Sequence, residues 1–485
     1  MSGYLISRGI FLTLETYDAI IADVYNIKFT GKDKRNSPPF YEDIQLFLQH
    51  LICNVLLYAE QTPEDEPYTT YSPFSSKLGK EKLPFVFEQS KNLICKRALE
   101  FLEKSGIIKI RRHNVGMKKC REFALSKEHI KRWFSNFNHR EYMKNEDRYI
   151  YLSTVLKNKK KKTLTFDEMI KLALCEMKKP KHKTRHVTPR ETVKYMKEVY
   201  TNMGGLRINL DKWRDFEPKD EVEAAHKAHF ISHLVSRGCR MVSSEPLVVE
   251  YYPEYKVSSK GTRSFELHRG FQGMKSSLKW EIFEGYNYDI ESSQFNILKG
   301  EFKKYGIKCP QLNELSKEKI MERFGLSSKP AKTLLYSCLF SLCQVRLSPK
   351  SQSFAILCVE YGYDVAAEKL RAWGEYIAPI KRKLKKLIRI YISQGVNCPG
   401  RGLAIRNAVR QTYLLRIKKN EKVKASEWGK ILAHMLQGIE SHAIYETILA
   451  NPGVCGSIEH DGLVSSKPIE WRHPYLKLVL KHKSE

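Results

Sequence analysis

The period of the hydrophobic pattern changes along the chain. Near the N-terminus apolar and polar positions are mixed, and the turn-rich stretch "TGKDKRNSPPF" predicts an exposed loop. The apolar run "IQLFLQHLICNVLLYAE" that follows has helical length and predicts a buried helix. A stricter grammar comes next. Ile94, Ala98, Phe101 and Leu102 recur at helical spacing behind Ser90, a suitable N-cap, and Gly106 stands where such a helix should stop. The short runs "IIKIRR" and "CREFALS" flank the polar turn "HNVGMKK" with its Gly116, which predicts a basic hairpin. From about residue 231, β-like runs ("EPLVVEYYP", "RSFELH", "YNYDI", "GVCGSIEHDGLVSS") alternate with helical stretches over 330–346, 364–395, 402–418 and 425–450. The pattern is α+β, with small sheets and many helices. It divides into an N-terminal segment (1–45), a helix-and-hairpin unit (46–130), a basic helical linker (131–230) and a C-terminal α+β region (231–485).

Composition adds a partner to this outline. With 485 residues, 42% hydrophobic and 11% aromatic, the chain can bury a large core. Its 84 Lys and Arg against 54 Asp and Glu give a net charge of +30, which points to a polyanion. Nucleic acid fits best, since neutralising its phosphates supplies most of the sequence-independent binding energy. No apolar run is long enough to span a bilayer, so no membrane partner is expected. The 11 Cys residues are scattered without C-x-x-C pairs, and the N-terminus lacks a signal-peptide pattern; both point to a reducing cytoplasm.

Charge runs are less specific. "KNKKKK" (157–162) and "KKPKHKTRH" (178–186) read as solvated loops, as phosphate-tracking arms or as an import signal. The cations of "KRKLKKLIR" (381–389) and of residues 401–422, with Arg406 and Arg410 on one helical face, suit a template channel or a solvated helix face. The acids of "NLDKWRDFEPKDEVEAAHKAH" read as the solvated face of a helix, not as a nuclease centre.

Two acids have a different setting. Asp289 ends the strand-like "YNYDI" just before a helical pattern, and Asp461, 172 residues later, lies in the "HDG" turn of a predicted hairpin. Carboxylates at neighbouring strand ends can hold a pair of Mg²⁺ ions, with Mn²⁺ as a substitute, for phosphoryl transfer. An Asp at a strand end also serves as a helix cap or turn former, so neither residue is diagnostic alone.

The helix, Gly turn and basic hairpin of residues 90–126 resemble the C-terminal half of a winged helix-turn-helix domain. The resemblance implies a recognition helix with Lys91, Lys96 and Arg97, and a wing with Arg111, Arg112, Lys118 and Lys119 on flanking phosphates. A protein-binding winged helix, or an ordinary helix plus hairpin, stands beside it. The C-terminal half, roughly 240–467, resembles the palm and fingers of family A DNA polymerases and their relatives, the single-subunit phage-type RNA polymerases. Four blocks carry the likeness: "GTRSFELHRGFQGM", "YDIESSQFNIL", "KPAKTLLYSCLFS", and "MLQGIESHAIYETI" followed by "SIEHDGLV". The resemblance implies a right-hand polymerase fold with palm, fingers and a reduced, thumb-like part from residues 165–230. It makes Asp289, the carbonyl of Ile290 and Asp461 metal ligands. Arg263, Gln272, Gln437 and His460 become contacts to primer and template. Lys332, Tyr336 and Phe340 are four residues apart and share a helix face. On that face Lys332 meets the triphosphate of the incoming nucleotide and Tyr336 its base.

The departures bear on specificity. Gly462 stands where the family's DNA polymerases usually have an acid, and Gln294 where they favour the Glu that closes the pocket against a ribose 2′-hydroxyl. Ser328 replaces an Arg, with Lys329 beside it, and Phe340 replaces a Tyr. The expectation is a template-directed nucleotidyltransferase, a DNA polymerase or primase-polymerase, that replicates a phage, plasmid or mobile element. Its rivals are a single-subunit RNA polymerase or primase, a non-catalytic replication initiator with a decayed polymerase fold, and a metal-dependent nuclease or recombinase.

Overall fold

The apolar stripes of the N-terminal half do become helices. The computed structural model describes residues 10–25, 38–55, 67–69, 71–74, 83–87, 94–111, 121–135, 149–152, 163–174, 182–183, 190–257, 263–267, 270–340, 346–348, 351–398, 402–415, 423–459 and 461–483. Strand β1 (Ile10–Thr13) runs into α1 (Leu14–Tyr25). Helix α2 (Pro38–Val55) opens on two prolines, which suit a first turn because their missing N–H groups have no helical partner there. "PPF" is therefore helical, and the rest of the expected loop lies outside the described residues. After α2 come β2 (Ser72–Phe74), α3 (Pro84–Phe87), α4 (Ile94–Lys104), β3 (Ile108–Arg111) and β4 (Arg121–Leu125), in a sheet of order β2-β4-β3. Phe47 of α2 fills the centre of this unit, with its ring edge-on to Phe74, Phe87 and Phe123 at 5.7, 5.3 and 5.1 Å. Gly106 ends α4 with φ +75°, a conformation that favours glycine.

Helix α5 (Lys127–Ser135), β5 (Tyr149–Leu152), β6 (Thr163–Leu164) and α6 (Phe166–Ala173) complete the N-terminal part, with β1, β5 and β6 in one sheet. A capping box starts α6. Thr165 Oγ1 accepts from the Glu168 N–H, and the Glu168 carboxylate accepts from the Thr165 N–H. Strand β7 (His182–Lys183) and α7 (Arg190–Thr201) lead into β8 (Leu206–Asn209), α8 (Leu210–Asp215) and α9 (Glu221–Arg237). The acidic stretch is a solvated face only in part: Asp215 and Glu217 are exposed, whereas Glu223 is buried. Asn209 and Asp220 cap α8 and α9, and Ala224, Ala225, Ala228, Phe230, Ile231 and Leu234 are buried where α9 packs on α5, α6 and β1. The expected thumb-like helical part, 165–230, accordingly holds helices together with the strands β7 and β8. Strands β9 (Arg240–Ser244) and β10 (Leu247–Tyr251) join β8, while β11 (Tyr255–Val257) and β12 (Ser264–Glu266) join β7. Helix α10 (Ser276–Ile282) closes the region. One core gathers residues from Tyr17 through Phe283, together with Val464, and crosses the expected divisions at 45/46, 130/131 and 230/231, because α9 supplies an apolar face to elements before it.

A second core gathers residues between Met196 and Leu476. It is built by α11 (Ser293–Lys304), α12 (Pro310–Asn313), α13 (Lys317–Phe324), α14 (Ser328–Phe340), α15 (Gln352–Tyr361), α16 (Tyr363–Tyr376) and α17 (Ala378–Ser393), together with elements that precede and follow them. The helix expected over 364–395 is two, broken at Ile377 ahead of Pro379. On α17 the apolar stripe Ile380, Leu384, Leu387, Ile388 and Tyr391 is buried, while Arg382, Lys385, Lys386 and Arg389 face solvent.

The helix expected over 402–418 is corrected to strands. β14 (Val396–Cys398), β15 (Gly402–Arg406) and β16 (Thr412–Leu415) form an antiparallel sheet. The Asn407 carboxamide oxygen accepts from the Gln411 N–H at 3.0 Å, and Arg410 adopts φ +61°, so the chain turns where a helix would continue. Arg406 and Arg410 therefore share no helix face. Helix α18 (Ala425–Ala450) runs as expected.

The last sheet has the order β17-β18-β13-β19, from β13 (Tyr286–Ile290), β17 (Cys455–Glu459), β18 (Gly462–Ser465) and β19 (Leu478–Lys483), all antiparallel. Neighbouring residues of β18 belong to different cores: Val464 to the first, Leu463 to the second. The sheet is thus the wall between them, and alternation along a strand decides what each side chain faces. The protein is α+β throughout. Because Ile444 of α18 is fully buried and Val359 is 90% exposed, Ile444→Ala should cost about 2–5 kcal/mol in chemical denaturation and Val359→Ala no more than about 0.5 kcal/mol.

Candidate functional site

Strand pairing brings the two aspartates together. Asp289 on β13 faces Gly462 of β18, and the Ile290 N–H donates to the Asp461 carbonyl at 2.8 Å. Asp461 is therefore held in the turn beside the end of β13. Gly462 is what permits the approach. A Cβ there would lie 2.3 Å from the Tyr288 carbonyl oxygen and 3.3 Å from the Asp289 Cα. The residue after Asp461 thus cannot carry an acid, or any side chain, on this backbone. Strand β17 is pinned as well. Lys279 donates to Glu459 at 2.8 Å, Gln272 Nε2 to the Ile458 carbonyl at 2.6 Å, and the Ile458 N–H to the Tyr255 hydroxyl at 2.9 Å. Burial first, and then the charge of Asp461, raise the Asp289 carboxyl to about 6, with Lys481 acting in the opposite direction. Among the described residues neither aspartate forms an ion pair.

A third acid, unforeseen, lies beside them. Glu440 of α18 has no exposed surface, and its carboxylate collects four donors. Arg263 reaches Oε2 through Nε at 2.8 Å and Nη2 at 2.7 Å, while the Ser293 hydroxyl and Gln294 Nε2 both reach Oε1 at 2.6 Å. Burial pushes this carboxyl upward, Arg263 pulls it back, and Asp461 adds to the rise. The sequence did hold a signal: an acid inside a helix whose buried positions include Leu432, Leu436, Ala443, Ile444 and Ile448 requires buried partners. Ser293 and Gln294 lie within reach because Ser292, at φ +45°, reverses the chain directly from β13 into α11. A non-glycine residue in that region stores strain, here next to the acidic cluster.

The other expected residues divide by location. Ile290 has a buried side chain, and Gln294 is 5% exposed. Tyr336 on α14 is 38% exposed, with its ring edge-on to Phe295 at 6.1 Å. Its hydroxyl pKa is raised by burial and then by Asp461, Asp289 and Glu440, which places it in the same field. Lys332, one turn earlier, and Lys329 are exposed; Phe340 ends the same helix, and its side chain lies outside the described residues. Gln437 is half-buried on α18. Gln272 is engaged with the backbone. Its amide donates to the Ser264 and Ile458 carbonyls and accepts from the Glu266 N–H, so it braces β12 against β17. His460 lies outside the described residues. Of the basic positions near the N-terminus, Arg111 is exposed on β3, 3.9 Å over the Tyr71 ring and 3.2 Å from Glu122. Lys96 and Arg97 lie on α4 with side chains outside the described residues, as do Lys91, Arg112, Lys118 and Lys119 entirely.

This arrangement offers two adjacent carboxylates that repel each other without a neutralising ion pair, a donor set suited to a hard divalent cation. Among the described residues no group of three or more His, Cys, Asp or Glu is gathered for a metal. A cation held by the two aspartates would therefore draw further oxygens from the backbone, water or a substrate. No described helix is long and apolar enough to cross a membrane. No protein-family model and no curated protein matches this chain.

A carboxyl whose pKa rises on folding favours the folded state while protonated. That contribution is present below its ordinary value of 3.8 and is lost as the pH rises through about 6. In metal-free buffer Asp289→Asn should accordingly match the wild-type thermal midpoint near pH 4 and exceed it at pH 7.5. An offset that does not change between the two pH values would contradict this reading of the pair.

Proposed function

We propose that this protein is a template-directed nucleotidyltransferase, a polymerase with palm and fingers, preceded by a DNA-binding winged helix. The observation that carries the reading is the pairing of β13 with β18, which sets Asp289 and Asp461 side by side at the end of an antiparallel sheet. The surrounding geometry agrees. Helix α14, with Lys332 and Tyr336, packs on α18, which also packs on α11. The residues of all four sequence blocks thus converge from distant parts of the chain. At the front, the succession helix, strand, helix, helix, strand, strand with sheet order β2-β4-β3 suits a winged helix whose α4 enters a major groove.

In this reading Asp289 and Asp461, with the Ile290 carbonyl, hold Mg²⁺ or Mn²⁺. When bound, such a pair of ions lowers the pKa of the attacking hydroxyl and neutralises the leaving pyrophosphate. The remaining roles fall to the chain. Lys332 meets the triphosphate, and the exposed ring of Tyr336 stacks on the incoming base, a contact of about 1–3 kcal/mol. The net charge of +30 gathers template and primer. Arg263 is tied to Glu440, and Gln272 to the backbone, so both act on nucleic acid through the shape of the site more than by direct reach. The partners are DNA, with RNA as an alternative strand, and nucleoside triphosphates. The setting is the cytoplasm, and the role is replication of a phage, plasmid or other mobile element.

Labelled nucleotide should be incorporated on a primed single strand with Mg²⁺ and not after chelation. Asp289→Ala and Asp461→Ala should each lower the rate by about a hundredfold or more, the scale of several kcal/mol of lost charge stabilisation. Wild-type rates in both variants would rule the proposal out, and DNA cleavage without incorporation would replace it with a nuclease.

A further inference from the structure

The 45 residues between Glu375 and Glu421 hold twelve Lys and Arg and no Asp or Glu, where an even spread of the chain's 54 acids would place about five. A helix face that is merely solvated carries charges of both signs, so a block of one sign calls for a partner. The fold sorts these cations. On α17, Arg382, Lys385, Lys386 and Arg389 stand at i, i+3, i+4 and i+7, exposed along one face over about 10 Å. None of the four has an ion pair among the described residues. The opposite face of the helix, with Leu384, Leu387 and Ile388, lies in the second core, so α17 has no apolar side left to enter a lipid surface. Arg406 and Arg410 are exposed on the two sides of the β15–β16 turn. Arg410 meets Glu191 at 3.7 Å, but both side chains are more than half exposed, and such a pair is weak.

Both groups of cations border the same stretch of α18. Lys385 and Arg389 approach the ring of Trp428, in the first turn of α18, at 5.9 and 5.8 Å from its centroid. The neighbouring acid is already engaged: Glu427 accepts from the Tyr413 hydroxyl of β16 and pairs with Lys430 at 2.7 Å. Further along, Asn407 Nδ2 donates to the His434 carbonyl at 3.2 Å, and Gly438 makes room for Asn407, since a Cβ there would lie 2.6 Å from the Asn407 Cβ. The β15–β16 hairpin thus lies along α18 from Glu427 to Gly438, and its turn stands two residues short of Glu440.

We propose that the exposed face of α17 and the β15–β16 turn form a binding surface for the phosphodiester backbone of a single nucleic-acid strand, which runs along α18 toward the acidic cluster. The surface goes beyond the polymerase reading and does not rest on it, since it needs neither a nucleotide nor a metal ion. None of the four sequence blocks includes its residues. Charge complementarity identifies the occupant: six cations with almost no acid beside them suit a row of phosphates, each of which releases counterions when Lys or Arg neutralises it. The aromatic ring selects a single strand. Proteins that hold single strands combine a cationic track with side chains on which bases stack, and the half-buried Trp428 lies beside two of the cations. In a duplex the bases are already stacked on one another and cannot use the ring.

The test follows binding of a fluorescently labelled oligothymidylate strand to the full-length protein by anisotropy, with EDTA present, over a series of salt concentrations. Each phosphate contact to a single strand contributes about −0.7 to the slope of log K against log salt. Arg382→Ala, Lys385→Ala, Lys386→Ala and Arg389→Ala combined should therefore make the slope shallower by about 2 and weaken binding by about tenfold or more. Adding Arg406→Ala and Arg410→Ala should flatten it further. A control of equal charge change at exposed lysines of α11, α13 and the chain between them, Lys303→Ala, Lys304→Ala, Lys308→Ala and Lys319→Ala, should leave the slope as it is in the wild type. No binding by the wild type, or a slope that stays put at either step, overturns the inference, since the cations are then a solvated face. The same loss in the control overturns it too, because the charge then acts as a uniform field, and so does a duplex of equal length that loses as much affinity as the single strand. With the metal chelated, these outcomes are independent of nucleotide incorporation, so a failure of the polymerase reading is seen separately.

Discussion

The close passage of β18 over β13 is the constraint on which the site depends. It requires a residue without a Cβ at position 462, since any side chain there would strike the Tyr288 carbonyl. With glycine in place the two strands meet in register, the Ile290 N–H holds the turn, and Asp461 comes alongside Asp289. What looked in the sequence like a missing acid after Asp461 is therefore a packing requirement. The acid that accompanies the pair comes instead from α18, as Glu440.

Electrostatics then divides the molecule. An excess of thirty positive charges lies over a protein whose central sheet carries carboxylates in mutual repulsion. Burying like charges together is expensive, and the two aspartates are left without an ion pair among the described residues, whereas Glu440 is balanced by Arg263 and two hydrogen bonds. The difference separates their work. Glu440 is a compensated group that orients its neighbours, and the aspartates form an uncompensated pair for which a divalent cation is the natural complement. The sheet that holds them lies between two cores, so its position is braced from both sides.

Much of this was legible in the residues. "YNYDI" is strand β13 from end to end, 425–450 is one helix, the hairpin around "HDG" lies where expected, and Gly106 stops α4. These elements have strong local signals: a short β-branched or aromatic run bounded by glycine, or a long helical period. Residues 402–418 misled because spaced cations imitate a helical face, while Asn407 and Arg410 make a turn that depends on one side-chain bond and one unusual φ. The acidic stretch misled for another reason, since one of its acids, Asp220, caps α9, and that helix buries Glu223 and a row of alanines. Glu440 and the Gln294 carboxamide were not foreseen as a pair because they are 146 residues apart and meet only through folding. The crossing of expected domain boundaries has the same origin, a face of α9 that packs on elements far earlier in the chain.

In the proposed function, strand pairing makes a divalent-cation site of Asp289 and Asp461. Titration of Mn²⁺ followed by electron paramagnetic resonance, with a primed strand and a non-hydrolysable nucleoside triphosphate present, tests it most directly. The account predicts tight binding by the wild type and affinity weaker by about ten- to hundredfold in both Asp289→Asn and Asp461→Asn. Unchanged Mn²⁺ affinity in those two variants, or no binding by the wild type, would contradict it.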